Sequence, residues 1–115
     1  MAIIENHARE VEGALFARLE RALVSGRAGI GLREVANAAI HGRVRTLLHA
    51  EGEHLWGKLD RTTGDLEVRE EQLDTEDAEV IDDLSETVLL RGGDVFEVPR
   101  GALPNGSPVA AIYRY

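Results

Sequence analysis

The sequence predicts an α/β protein, a three-layer α/β/α sandwich built on a central mixed sheet of four to five strands. Three observations predict it. Apolar residues recur at helical spacing in two segments ahead of the first long strand and in a third between later strands, so helices are available for both faces of a sheet. The segment VAAIY, residues 109–113, is apolar without polar alternation, the pattern of a strand covered on both faces. Its small residues, Ala110 and Ala111, permit the covering helices to approach closely.

Taken in order, the first element is a long amphipathic helix over residues 3–24. Ile4, Ala8, Val11, Leu15, Leu19 and Leu23 share one face, with Glu5, Arg9, Glu12 and Arg18 opposite. VSGRAGIG breaks it with three glycines. Leu32, Val35, Ala36, Ala39 and Ile40 then form a shorter stripe that Gly42 ends as a C-cap. Arg43 to His49 is β-branched and apolar enough for a strand buried on at least one face. HLWGKLD and DLEVRE flank RTTG, whose Gly64 suits the turn of a polar, edge-like hairpin.

A third helix is expected from a cap at Asp74 or Thr75 through Arg91. Ala78, Ile81, Leu84 and Val88 make its stripe, Glu76, Asp77 and Glu79 favour its N-terminal dipole, and Gly92 stops it. DVFEV is the next strand, and Pro99, Pro104 and Pro108 bracket an irregular connection to the last. The organisation is thus a helix over residues 1–24, readable as a linker helix from an upstream domain, followed by an α/β domain over residues 25–115.

With 115 residues the chain bounds one domain, able to bury roughly two-thirds of its unfolded surface. It has no cysteine, which excludes disulfides and thiolate metal sites and fits a reducing compartment. The N-terminus carries acids where a secretory signal carries bases, and no apolar run approaches the length of about 20 residues that spans a bilayer. A cytoplasmic protein without a membrane partner is expected. The net charge of −8 is unevenly spread. Residues 1–50 hold seven Arg against five Glu, whereas residues 65–86 hold eleven acids and the single base Arg69. That acidic run reads as a solvated face, one that repels nucleic acid or meets a basic partner.

Few residues are arranged for chemistry. His49, Glu51, Glu53 and His54 are of metal-ligating type, but HAEGEH crosses a strand end and a loop, where no helix holds both rings on one face. Asp74, Asp77, Asp82 and Asp83 read as a cap and a solvated helix face rather than a cation site. Without Cys, and without a Ser in a nucleophile elbow, no nucleophilic enzyme is indicated. No catalytic residue, metal ligand or cofactor is assigned.

Residues 25–48, SGRAGIGLREVANAAIHGRVRTLL, carry a resemblance. Ser25, Gly26, Arg27, Gly31, Ala38, Gly42, Val44, Thr46 and Leu47 match the pattern that opens the C-terminal, third domain of archaeo-eukaryotic-type peptide chain release factors and Pelota. That domain closes on an Ile-Leu-Arg-Tyr-like strand, and AAIYRY here resembles it with Tyr113 in place of Leu. WGKLDRTTGDLEV and residues 76–115 resemble the bacterial branch of the family, so the likeness covers residues 25–115. Each motif is short; order and spacing carry the likeness.

The resemblance implies an α/β sandwich shared with kink-turn RNA-binding ribosomal proteins, and a noncatalytic interaction domain of a translation termination or ribosome rescue factor. Its implied partner is a protein, a translational GTPase or the ribosome. Catalysis in the family lies in a middle domain with a Gly-Gly-Gln loop. Gly92 and Gly93 lack the Gln and read as a helix-to-strand turn. Trp56, Arg114 and Tyr115 are the candidate partner-binding residues.

The alternative is RNA binding of the kink-turn type. Gly31, Arg33, Glu34 and Asn37 occupy the positions where those binders carry Gly, Asn, Glu and Lys, so only Gly31 and Glu34 agree. Arg33 loses the paired donor and acceptor of Asn, and Asn37 loses a phosphate contact. Arg27, Arg33, Arg43 and Arg45 remain as candidates for a basic end that contacts RNA without reading bases.

Overall fold

A strand buried on both faces organises this protein, and the other elements are arranged around it. The computed structural model describes the backbone of residues 2–69 and 78–115, and side chains from Gly13 onward within those ranges. The chain runs α1 (Ala2–Val24), β1 (Ala28–Ile30), α2 (Leu32–Ile40), β2 (Val44–Ala50), β3 (Trp56–Leu59), β4 (Leu66–Arg69), β5 (Ala78–Glu79), α3 (Val80–Leu90), β6 (Asp94–Val98), a short 3-10 turn and β7 (Val109–Tyr113). The main sheet has the order β1-β7-β2-β6. β7 pairs antiparallel with β1 and with β2, whereas β2 and β6 are parallel, their crossover carrying α3. The expected mixed four-stranded sheet is present, with VAAIY at an interior position.

Side-chain alternation divides the core into two. On one face Val44, Leu47, Val109, Ala111 and Tyr113 pack with Val35, Ala36 and Ala39 of α2 and with Val80, Ile81, Leu84 and Val88 of α3. On the other, Leu48, Val98, Ala110 and Ile112 pack under Leu15, Leu19 and Ala22 of α1. All five residues of β7 are buried, which is how a strand without polar alternation comes to lie between two helical layers.

Three local features depart from the sequence expectation. Ala28–Ile30, within the glycine-broken connection, forms the short strand β1 because Ala28, Gly29 and Ile30 register against Ile112, Ala111 and Ala110. The hairpin stays out of the main sheet and makes a second sheet of order β4-β3-β5. Ala78 belongs to that sheet rather than to a helical stripe, since Ala78 and Glu79 pair with Gly57 and Trp56. α3 therefore begins at Val80, and Glu79 is its cap, its carboxylate accepting from the backbone N–H groups of Ile81 and Asp82. The caps expected at Asp74 and Thr75 lie outside the described residues.

The turn between α3 and β6 explains the glycine pair. The Gly92 N–H donates to the Leu89 carbonyl and the Gly93 N–H to the Val88 carbonyl, closing the helix end. A Cβ on Gly93 would lie 2.9 Å from the Val44 carbonyl oxygen and 3.0 Å from that of Arg45, so this turn abuts the entry of β2 with no room for a side chain.

Two substitutions test the layered core. Ala111→Asp places an unpaired carboxylate between β7 and α2, a change on the order of a small domain's whole stability, and is expected to abolish the cooperative urea transition. Leu19→Ala, at a 2% exposed position of α1, is expected to cost about 2–5 kcal/mol in the same measurement. A wild-type midpoint for Leu19→Ala would mean that α1 is not a structural layer.

Candidate functional site: a basic, tyrosine-lined sheet end

The residues singled out in the sequence fall into three places. Gly31, Arg33, Glu34 and Asn37 lie at the start and on the outer face of α2. Gly31 precedes the helix at φ 101°, its N–H donating to the Val109 carbonyl. Arg33 lines an open groove of about 500 Å³ together with Lys58, Asp60, Asp65, Leu66 and Glu67 of the hairpin. Three carboxylates therefore face two cations there. Asp60 holds its carboxyl below the usual carboxylate range by accepting from the backbone N–H groups of Thr62 and Thr63, so it is a firm anion.

The hairpin also leans on α2. A Cβ on Gly64 would lie 2.8 Å from Ile40 Cδ1 and 3.1 Å from Asn37 Nδ2. Arg61 clamps the hairpin turn to α3 through Asp83 at 2.6 Å and Glu86 at 3.8 Å. Asn37 is thus flanked by the turn, and Glu34 is directed elsewhere, accepting from the Tyr113 hydroxyl at 3.5 Å. The four-residue pattern on α2 is not assembled as one open RNA-reading face.

The second place is the end of the main sheet where β1 begins, β7 ends and β2 enters. The Arg43 guanidinium lies 4.8 Å from the Tyr113 ring centre and 5.6 Å from that of Tyr115, and donates to the Tyr115 carbonyl at 3.3 Å. The Arg114 N–H donates to the Arg43 carbonyl, and the Tyr113 N–H to the Arg27 carbonyl. The Arg114 guanidinium reaches the Arg91 carbonyl at 2.7 Å, and the Arg91 guanidinium reaches the Ile40 carbonyl at 3.0 Å. Arg45 falls between Val44 and Thr46, where the β2–β7 register shifts, and is exposed. An irregularity of this kind re-aims a strand side chain. Of the expected basic end, Arg27, Arg43 and Arg45 therefore stand at the same sheet end as Arg114 and Tyr115, assigned to a partner, whereas Arg33 does not, because it faces the hairpin carboxylates.

Tyr113 anchors this end. Its hydroxyl occupies the space that a Gly29 side chain would need, which accounts for the glycine in β1. Burial, together with the nearby Glu34 carboxylate, pushes its phenol up to about 12, with Arg43 opposing.

Trp56 occupies a third place. It is half-buried in the middle strand of the small sheet, opposite Arg69 on one side and Glu79 on the other. The residues of HAEGEH are committed separately: Glu53 pairs with Arg100 at 3.5 Å, and His54 Nδ1 lies 3.5 Å from Glu79 Oε1. Among the described residues no group of three or more His, Asp or Glu is placed to hold a metal, and no helix is long and apolar enough to cross a membrane.

Sequence reasoning missed Arg91, which reads only as the last residue of a helix. The signal was its place immediately before the Gly92–Gly93 turn, since that turn returns the chain to β2. Leu89 and Leu90, 57% and 72% exposed, were likewise unremarked.

The architecture defines a class, an α/β sandwich with a hairpin appended to one helical layer, and solved structures similar to it include parts of translation factors. The C-terminal domain of a peptide chain release factor from Methanosarcina mazei matches with a TM-score of 0.68 at 18% identity, over 99% of this chain and 92% of that domain. Pelota from Archaeoglobus fulgidus matches with a TM-score of 0.67 at 22% identity, over 99% of this chain and 32% of that one. A ribosome-bound archaeal Pelota, described together with ABCE1, matches with a TM-score of 0.59 at 22% identity, over 96% of this chain and 27% of that one. The chain has the fold of the C-terminal domain of Pelota and release factors and spans about a third of the Pelota chain. No family model matches the sequence, and no curated protein matches it.

The tyrosine makes a pH prediction. A folded-state value raised above the unfolded one contributes stability that is full below about pH 10 and lost as pH rises through about 12. Urea midpoints are expected to fall across that window in the wild type and to fall less in Tyr113→Phe. Identical pH dependence in the two proteins would show that the phenol is not held neutral by its surroundings.

Proposed function

We propose that this chain is a noncatalytic interaction domain of a release-factor-like protein of translation termination or ribosome rescue, and that it docks a protein partner, a translational GTPase or the ribosome. The observation that carries the reading is the end-to-end correspondence with one domain of larger translation factors, 99% of this chain against 92% of an isolated release-factor C-terminal domain. An archaeal Pelota of the same fold is described on the ribosome. The bacterial setting rests on the sequence resemblance alone, and the cytoplasmic location on the reading of composition and apolar runs in the sequence. The absence of an enzymatic role follows from the same reading: the Gly92–Gly93 turn closes α3 by backbone hydrogen bonds and carries no Gln beside it.

The kink-turn alternative is disfavoured by the carboxylates that face Arg33 and by the hairpin turn on Asn37. Titration of a kink-turn RNA and an unrelated hairpin of equal length is expected to give equal, weak binding to both. A preference of about a hundredfold for the kink-turn, abolished by Glu34→Ala, would replace the docking reading with specific RNA recognition.

Docking itself is tested by cross-linking the tagged chain in lysate and identifying the products. Ribosomal proteins or a translational GTPase, retained at moderate salt and reduced by Trp56→Ala with the melting transition intact, are expected. Products without any translation component would overturn the assignment. Release of peptide from peptidyl-tRNA is expected to equal the no-protein control, and clear turnover would refute the noncatalytic reading.

A further inference from the structure

The geometry points to a second binding function at the arginine-rich end of the main sheet: a site for the phosphate backbone of single-stranded RNA, formed by Arg27, Arg43, Arg45, Arg91 and Arg114 with the Tyr115 ring. This site lies beyond the C-terminal end of α2, away from Gly31 and Arg33 of the kink-turn pattern, although Glu34 reaches the Tyr113 hydroxyl. Helix α2, Leu32 to Ile40, follows Gly31, whose N–H meets the Val109 carbonyl at the start of β7, and leads to Arg43, whose carbonyl accepts from the Arg114 N–H just past the end of β7. The two surfaces are therefore separable by mutation.

Three observations carry the inference. The first is charge that is not locally neutralised. In a protein of net charge −8, five arginines stand at one sheet end, and none forms an ion pair with a described Asp or Glu. Glu34 approaches the same end, directed to Tyr113, and the exposed Asp94 opens β6 beside Thr46. The C-termini of α2 and α3 also contribute about half a negative charge each. Glu34, Asp94, the Tyr115 α-carboxylate and the two helix ends, about four negative charges, still leave an excess of about one positive charge against five arginines.

The second observation is preorganisation. Arg91 and Arg114 each commit a donor to a carbonyl at a helix end, and Arg43 is held against two tyrosine rings. Capping a helix C-terminus accounts for one N–H of a guanidinium; the group has five. The remaining donors are fixed in direction, which lowers the entropic cost of meeting a phosphate. Arg45 is exposed at the register shift in β2.

The third is the shape of the chemistry on offer. Tyr115 is 67% exposed with Arg43 against its ring, a platform on which a base can stack beside a cation that meets its phosphate. None of these residues lines the groove at Arg33 and Lys58. A protein segment anchors best in a desolvated pocket, whereas an RNA backbone needs only exposed donors. Leu89 and Leu90 flank Arg91 and are the residues an acidic amphipathic peptide would use instead.

The test is fluorescence anisotropy of the full chain with a labelled oligouridine and, separately, a labelled acidic amphipathic peptide of equal net charge. Salt-dependent RNA binding is expected, with a log–log slope of about −2, corresponding to roughly three neutralised phosphates of a single strand. Arg45→Glu with Arg114→Glu is expected to weaken it roughly tenfold or more, while Arg33→Glu at the other end of α2 changes it less than about twofold. Circular dichroism melts confirm that each variant folds; should the double variant unfold, Arg45→Glu alone, an exposed strand position, carries the comparison. Absence of RNA binding by the wild type, tighter binding of the peptide, or equal loss in Arg33→Glu would each overturn the proposal. None of these outcomes depends on identifying a docking partner by cross-linking, so this inference and the docking function stand or fall separately.

Discussion

Burial of β7 on both faces is the constraint on which the rest of the structure depends. A strand with no polar side chain must be covered twice, and each cover is a helical layer: α1 over Ala110 and Ile112, α2 and α3 over Val109, Ala111 and Tyr113. Its backbone is satisfied on both edges, by β1 and β2, which is why three residues of a glycine-containing connection are drawn into the sheet. Deep burial of a strand that ends at Tyr113 and is followed by Arg114 and Tyr115 also fixes where those groups emerge.

That emergence makes the candidate site a by-product of the core. Tyr113 ends β7 inside the sandwich with its hydroxyl in the gap left by Gly29, and the next residue is already exposed. Arg43 and Arg45 sit on the neighbouring strand, and Arg91 arrives because Gly93 lets the α3–β6 turn abut the entry of β2. The guanidiniums are thus assembled by strand pairing and one tight turn, with sequence separations of up to 87 residues between Arg27 and Arg114.

This explains how much was legible in the sequence. The long helices, the interior position of VAAIY and the two-sided core follow from periodicity, because local spacing reports which face of an element is covered. The site did not, because its members are brought together by register. Nothing in RVRTLL indicates a shift between Val44 and Thr46, and Arg91 has no local sign beyond a helix end. β1 and β5 were missed for a related reason: three-residue and two-residue strands carry too few side chains for an alternation, and exist only because a partner edge was available. The start of α3 was misplaced because acidic residues before a helix look like first-turn residues wherever they stand, and only the pairing of Ala78 with Gly57 separates strand from helix.

The hairpin gives the two surfaces their different characters. The main sandwich offers α2 with an open N-terminal turn, the kind of helix end that welcomes an anion. In this chain the β3–β4 hairpin folds back beside that turn, bringing Asp60, Asp65 and Glu67 to Arg33, and is held by Arg61 on Asp83. Anions are therefore disfavoured where the bare helix would attract them. The hairpin turn reaches Ile40 at the end of α2, but among the described residues its carboxylates form no ion pair with the arginines beyond, of which Arg27, Arg45, Arg91 and Arg114 stay exposed. Since field strength at a surface depends on the nearest charges more than on the total, a protein of net charge −8 can present a basic end.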